Sequence, residues 1–202
     1  AAMGHTLWES SGEGGDLAPA DFEAAMLAYY RDGGHAGTYP GWYTVSKHYT
    51  VRPGELTVLT GIANHRKSQF LHALCLNLAQ DAGWKIGIFS PEHYPAGHLG
   101  RGFVEYAANF RLADMPEEMF IDTAAWVAQH FHPIIPPDEV PPTLPWILAV
   151  ARHQITVYGL NGLVIDPYNE VDHQIMGRQS ETQYISAFLS LLRRFTRHHN
   201  VH

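Results

Sequence analysis

The stretch that decides the fold is "GELTVLTGIANHRKSQF", residues 54–70. Its apolar run "ELTVLTG" (55–61) ends in glycine and predicts a buried strand. The next run, "SQFLHALCLNLAQDAG" (68–83), repeats apolar residues at helical spacing, and Gly83 suits its C-terminal cap. A strand, a tight loop and a helix N-terminus form an anion-binding site, because unpaired backbone N–H groups and the helix dipole face the ligand.

The loop between strand and helix departs at one position from the phosphate-binding pattern G-x-x-x-x-G-K-[ST]. Gly61 and Lys67 take their expected places, and Ser68 would put its hydroxyl on a magnesium ion. Arg66 stands where the pattern has glycine, a residue that permits close backbone approach. Three placements of the arginine stay open: it crowds the loop, puts its guanidinium in the phosphate site, or points outward. We predict reduced nucleotide affinity in a loop made of Gly61, Ala63, Asn64, His65, Arg66, Lys67, Ser68 and Gln69.

Strands and helices alternate along the rest of the chain. Apolar runs at "KIGIFSPE" (85–92), "HPIIPP" (132–137) and "GLVIDP" (162–167) predict strands. The strands are continuous apolar runs, which indicates a parallel α/β sheet covered on both faces. Ligands of such sheets bind at the carboxyl ends of the strands, so the polar residues that follow each strand are expected to converge. Helices are predicted at 99–110, 116–131, 146–159 and 180–200.

Two carboxylates follow predicted strands. Asp166 ends the strand "GLVIDP" and would hold the magnesium ion of a nucleotide. Glu92 is the last residue of "IFSPE" (88–92), just after the apolar part of the second strand. From this position a carboxylate can orient and deprotonate an attacking water. Each residue alone also suits an ordinary role, a buried capping aspartate or a solvated glutamate at a helix start. Their shared position after strands favours the nucleotide site.

Composition limits the classes of function. The net charge of -7 argues against a generally basic nucleic-acid surface, although a local basic groove stays open. Apolar runs are too short for a membrane span, and we expect no signal peptide. The fourteen histidines lack the spacing of a zinc site. The only cysteine, Cys75, indicates a reducing compartment and a buried small hydrophobe.

The N-terminal residues are predicted to form an appendage. Residues 1–20 are rich in Gly, Ser and acidic side chains, which indicates mobility. Residues 20–31 read as a short amphipathic helix, and the turn-rich residues 32–42 read as a linker. We therefore predict a mobile N-terminus with a linker helix at 1–40 and a main domain at 41–202, and we expect the helix to pack on a neighbouring molecule.

The joint set of motifs resembles the RecA-type motor domain of ring-forming replicative helicases. It is most similar to the Twinkle-like primase-helicases, relatives of the DnaB helicases. The resemblance covers about residues 40–202 and implies a three-layer RecA-like P-loop NTPase core with a mostly parallel sheet. The motifs that carry it are "RPGELTVLTG", "KSQFLHALCLNLAQDAGWKIGIFSPE", "LVIDPYNEVDH" and "SETQYISAFLSLLRRFTRHHNVH".

The resemblance also implies a function. ATP with Mg²⁺ is the expected cofactor, Lys67 and Ser68 are the phosphate and magnesium residues, Asp166 is the second-motif aspartate, and Glu92 is the catalytic carboxylate. The expected protein is a homo-oligomeric ring, a hexamer, that moves on single-stranded DNA and unwinds the duplex. Its expected location is the cytoplasm of a bacterial or phage-infected cell, with the mitochondrion as the less favoured alternative. In this family a further strand, DNA-contacting loops and a trans-acting arginine follow, so the core is expected to be incomplete at its C-terminal end.

Two other interpretations stay open. Arg66 favours a non-catalytic P-loop relative whose decayed site serves assembly or binding. Retention of Lys67, Ser68, Glu92 and Asp166 favours the motor domain. The third interpretation is a strand-exchange recombinase of the same fold. It is weaker, because the sequences "SPE" and "DPYNE" match the helicases better than the recombinases.

Overall fold

The computed structural model describes residues 18–31, 33–34, 37–62, 64–93, 95–171 and 181–202. The chain divides into two compact units, Ala1–Gly37 and Thr38–His202. In the first unit, helix α1 (Pro19–Arg31) has no buried residue. Its apolar side chains Phe22, Met26 and Tyr30 are exposed.

The second unit alternates helices and strands in the predicted order. Each predicted segment from residue 68 onward has its counterpart within a few residues. The elements are α2 (Tyr43–Ser46), α3 (Lys67–Ala82), β1 (Ile86–Phe89), α4 (Ala96–Ala108), α5 (Glu117–His130), β2 (Phe131–Pro133), α6 (Leu144–Tyr158), β3 (Gly162–Ile165) and α7 (Glu181–His199).

Helix ends follow local chemistry. Gly83 and Gly159 end α3 and α6 in the left-handed region, at φ 66° and 72°, where glycine carries no steric cost. Thr143 begins α6 with its hydroxyl accepting a hydrogen bond from the Trp146 N–H at 3.3 Å. The sequence puts Pro116 at the first turn of the helix predicted at 116–131, and the structure makes it the N-cap of α5. Ser180, which forms a capping-box pattern with Gln183 at the start of the helix predicted at 180–200, lies outside the described residues.

The three strands form one parallel sheet in the order β2-β1-β3. Ile86 of β1 aligns with Phe131 of β2 on one side and with Gly162 of β3 on the other. Parallel pairing brings the carboxyl ends of β1 and β3 to the same edge, as predicted. The residues that follow these two strands therefore lie near each other.

Two apolar cores cover the two faces of the sheet. Ile86 and Ile88 point into the first, which they share with α3, α4 and α5. Phe89 points to the opposite face and packs in the second core with residues of α6 and α7. This alternation along β1 produces three layers, helices on either side of a parallel sheet, and the predicted RecA-like α/β class is confirmed.

The predicted strand at 55–61 is wrong. Residues 55–62 form no strand, and Val58 and Ile62 are 57% and 71% exposed. An apolar run becomes a strand only when a neighbouring strand pairs with its backbone. Within the described residues, the backbone of residues 56–60 makes no backbone hydrogen bond, so this run stays irregular.

Candidate nucleotide-binding site

The backbone conformation of the loop explains why the phosphate-binding pattern has glycine before the lysine. Arg66 is the N-cap of α3 and adopts the left-handed conformation, φ 61° and ψ 29°. This region costs a residue with a Cβ about 1–2 kcal/mol, whereas glycine enters it freely. Asn64 also has positive φ, 63°, but asparagine tolerates it better than most residues. Arg66 is therefore a conformational departure from the pattern as well as a chemical one.

The side chain of Arg66 points outward, the third of the three placements that the sequence leaves open. It is exposed, and it has no hydrogen bond or ion pair with any residue that the structure describes. The guanidinium is thus not bound within the loop. Ala63, one of the predicted loop residues, lies outside the described residues.

Lys67 is bound by the loop that precedes it. Its Nζ donates to the carbonyl oxygens of Gly61 and Ile62, each at 3.0 Å. The first bond of α3 runs from the Phe70 N–H to the Arg66 carbonyl at 3.0 Å. The N–H groups of Lys67, Ser68 and Gln69 find no acceptor in the described part of the chain, as expected for a helix N-terminus. The ammonium group and the N–H groups without an acceptor among the described residues thus belong to the same loop and helix start.

The two predicted carboxylates lie on neighbouring strand ends. Asp166 directly follows β3, and its N–H donates to the carbonyl of Phe89 in β1 at 2.9 Å. Glu92 lies in the 3₁₀ turn Pro91–His93 and is exposed. Asp166 is half-buried and lines a cavity of about 710 Å³ together with Lys67. Ser68 and Glu92 do not line that cavity, so Lys67 and Asp166 share its wall, and Glu92 follows the neighbouring strand β1.

These residues fit a magnesium nucleotide. The hydroxyl of Ser68 and the carboxylate of Asp166 are hard oxygen ligands of the kind Mg²⁺ prefers. The described residues contain no group of three or more His, Cys, Asp and Glu side chains that could hold a metal ion. Mg²⁺ binds through one or two carboxylates plus phosphate and water oxygens, so two protein ligands suffice.

A histidine cluster that the sequence reasoning missed lies beside the carboxylates. His72 is buried in α3, with its ring 5.4 Å from that of His93 and 5.1 Å from that of Phe103. His93 Nδ1 lies 2.8 Å from the Ser90 hydroxyl. Two signals were available in the sequence: His72 stands one helical turn after Ser68, and His93 directly follows Glu92.

Burial lowers the pKa of His72, and the neighbouring His93 lowers it further, while Asp166 acts in the opposite direction. The unfolded chain therefore binds a proton at this residue more readily than the native protein does. Stability from neutral His72 is complete above about pH 6.5 and is lost as the pH falls below that value. Burial also lowers the pKa values of three other histidines, His132, His199 and His202.

We expect His72→Phe to reduce the acid sensitivity of the fold. Phenylalanine keeps the ring contact with Phe103 but cannot bind a proton. Thermal melts between about pH 8 and about pH 5 should show a shallower fall in Tm for this variant than for the parent chain. His153→Phe, at an exposed position, is the matched control. Equal pH slopes for all three proteins would contradict the assignment.

Comparison with known proteins identifies related chains. "Twinkle homolog protein, chloroplastic/mitochondrial" from Arabidopsis thaliana is 37% identical over 90% of this chain. Among solved structures, "ATPase Domain of G40P" superposes with a TM-score of 0.71 over 92% of this chain and 69% of that one. At 13% identity this second likeness shows the fold alone. No protein-family model matches the chain.

The chain corresponds to a part of its curated relative. It spans 27% of the length of the Arabidopsis protein. Along the described residues, no helix combines the length and apolar character needed to cross a bilayer.

Proposed function

Since this chain is a RecA-type domain of the Twinkle-like and DnaB-like kind, we propose that it is the motor domain of an ATP-dependent replicative DNA helicase. Such a domain hydrolyses ATP to move along single-stranded DNA and separate the duplex. The observation that carries the proposal is the position of Lys67, in the first turn of α3, and of Asp166, directly after β3, on the wall of one cavity.

Each residue of the site has a role in this proposal. Phosphate oxygens replace the carbonyls of Gly61 and Ile62 as acceptors for the Lys67 ammonium, and the N–H groups of the loop and of Gln69 bind the remaining oxygens. Ser68 and Asp166 would hold Mg²⁺, which neutralises charge on the phosphates when bound. Glu92 orients the attacking water and accepts its proton.

The proposed partners are other copies of the chain and single-stranded DNA. Helix α1 exposes Phe22, Met26 and Tyr30 within its own unit, which suits packing on the next subunit of a hexameric ring. We propose 1–40 as the linker-helix segment and 41–202 as the ATPase core.

We propose a reducing compartment for the protein. The sequence has a single cysteine, Cys75, which cannot form a disulfide within these 202 residues, and this fits a reducing compartment. Burial raises the pKa of its thiol to about 12, so it stays protonated. A bacterial or phage-infected cytoplasm fits this requirement. The chloroplastic and mitochondrial name of the Arabidopsis relative adds organelle interiors to the candidates.

Titration with Mg-ATP tests the nucleotide site, and Arg66→Gly sharpens the test. We expect saturable binding by the parent chain and tighter binding by the glycine variant, because glycine removes the guanidinium and relaxes the left-handed backbone. The same variant should gain about 1 kcal/mol in unfolding free energy. Calorimetry and chemical denaturation measure the two quantities.

Arg66→Ala is the matched control, since alanine removes the guanidinium and keeps the Cβ. Tightening in both variants would assign the effect to the guanidinium, and tightening in glycine alone would assign it to the backbone. Equal, tight binding by all three proteins would contradict reduced affinity. Absence of binding by all three would favour the decayed, non-catalytic relative.

A further inference from the structure

The turn that carries Glu92 is closed by two hydrogen bonds. The N–H of His93 donates to the Ser90 carbonyl at 3.1 Å, which closes the single 3₁₀ turn Pro91–His93. Across the same turn, the hydroxyl of the buried Ser90 lies 2.8 Å from His93 Nδ1. The hydrogen-bond geometry of a 3₁₀ turn is poor, so the side-chain bond adds a constraint that the backbone bond alone does not supply.

The direction of the Glu92 side chain depends on this turn. Glu92 is exposed, and it makes no hydrogen bond or ion pair with any residue that the structure describes. A carboxylate without a partner is placed only by the backbone that bears it. Because this backbone lies between Ser90 and His93, the bond that fixes the turn also fixes where the carboxylate can reach.

The ring of His93 is anchored to the first hydrophobic core. It meets the ring of His72 edge to face, with the centroids 5.4 Å apart and the planes at 61°. The His72 ring packs on Phe103 at 5.1 Å, and Phe103 stacks on Phe131 at 3.9 Å. Both phenylalanines belong to the first core, so a continuous row of rings joins the turn to the interior.

His72 supports His93 by packing and not by a hydrogen bond. It is 7% exposed, and its Nε2 is enclosed without a hydrogen-bond partner among the described residues. It lies one helical turn after Ser68 on α3, the helix that begins at Lys67. The contact between the two histidine rings therefore ties the Glu92 turn to the helix that carries the proposed phosphate and magnesium residues.

We propose that His93 is a positioning residue for ATP hydrolysis, which acts by holding the Glu92 carboxylate in place. The bond to Ser90 fixes the turn, and the contact with His72 fixes the turn relative to the start of α3. This inference rests on the proposed function, in which Glu92 accepts the proton of the attacking water. A displacement of about 1 Å can lower the rate about 100-fold, so a loosened turn should slow the chemical step and leave nucleotide binding unchanged.

Two variants remove the side-chain bond from its two ends. Ser90→Ala deletes the hydroxyl, and His93→Phe deletes the ring nitrogens but keeps a ring against His72. In a longer protein that assembles and carries this domain, each should lower kcat about 10- to 100-fold and leave KM within about twofold of the parent value. The double variant should lose no more than either single variant, because both remove the same bond. His153→Phe, at an exposed position on α6, is the matched control.

His93→Asn tests whether the hydrogen bond carries the effect. The asparagine amide stands where histidine has Nδ1, so it can bond to the Ser90 hydroxyl, but it lacks the ring that contacts His72. We expect this variant to keep at least about a third of the parent kcat. A kcat as low as that of His93→Phe would overturn the assignment.

The effect should also disappear when the carboxylate is absent. In a Glu92→Gln protein, adding Ser90→Ala should not lower the remaining rate further, because the bond acts through the carboxylate. A further fall as large as the one in the parent protein would show that Ser90 acts elsewhere, and it would overturn the proposal.

Amide exchange in the 202-residue chain gives a readout that needs no activity. The His93 N–H should exchange at least about threefold faster in Ser90→Ala than in the parent chain, measured relative to the amides of α5. The comparison with α5 separates a loosened turn from a general loss of stability. Equal relative exchange in the two proteins would overturn the proposal.

The two measurements separate this inference from the proposed function. If the parent protein hydrolyses ATP and Ser90→Ala hydrolyses it equally fast, the positioning role is wrong and the proposed function stands. If the parent protein does not hydrolyse ATP, the proposed function is contradicted. Faster exchange at His93 in Ser90→Ala would then still support the anchored turn, and equal exchange would contradict it.

Discussion

Glu92→Gln is expected to lower the rate of ATP hydrolysis by a factor of about 10²–10⁴ and to leave ATP binding unchanged. Glutamine has nearly the size of glutamate but cannot accept a proton from water. Glu92 is exposed in the turn after β1, so the substitution disturbs no packing. A loss confined to the rate would separate a catalytic carboxylate from one that binds the nucleotide.

The measurement is phosphate release in the presence of single-stranded DNA, with binding followed by calorimetry. Because subunit contacts of the proposed ring would supply part of the site, rates are compared in a longer protein that assembles and carries this domain. Glu118→Gln is the matched control, since Glu118 is an exposed glutamate in the first turn of α5. A Glu92→Gln rate within a factor of about two of the parent rate would remove Glu92 from the mechanism.

Much of the fold was predictable because a strand that is buried on both faces is a continuous apolar run in the sequence. Ile86–Phe89 and Gly162–Ile165 are continuous apolar runs, and each is a strand of the parallel sheet. The run at 55–61 looks the same in sequence but is no strand, because the backbone of residues 56–60 pairs with no backbone group in the part of the chain that the structure describes. The sequence of a segment shows how apolar it is. It does not show whether a neighbouring strand is available to form backbone hydrogen bonds with that segment.

The candidate site was predictable where its residues are close in sequence. The order of Gly61, Lys67 and Ser68 indicates the loop directly. The left-handed conformation of Arg66 is a property of the folded backbone, and the sequence shows only that the glycine is missing. The cluster around His72 joins α3 to the end of β1: the sequence shows each histidine near a predicted site residue, but it does not show that the two rings are neighbours.

Lys67→Met is expected to weaken ATP binding about 100-fold, the value of one or two hydrogen bonds to a charged group. Methionine keeps the length and apolar stem of lysine but removes the ammonium that would face the phosphates. The loop should also loosen, because the carbonyls of Gly61 and Ile62 lose their shared donor. Lys47→Met is the control, since Lys47 is exposed and lies over the Tyr43 ring, outside the loop. ATP titration and hydrogen exchange of residues 64–69 measure the two effects. Unchanged affinity in Lys67→Met would show that nucleotide, if bound, does not bind at this loop.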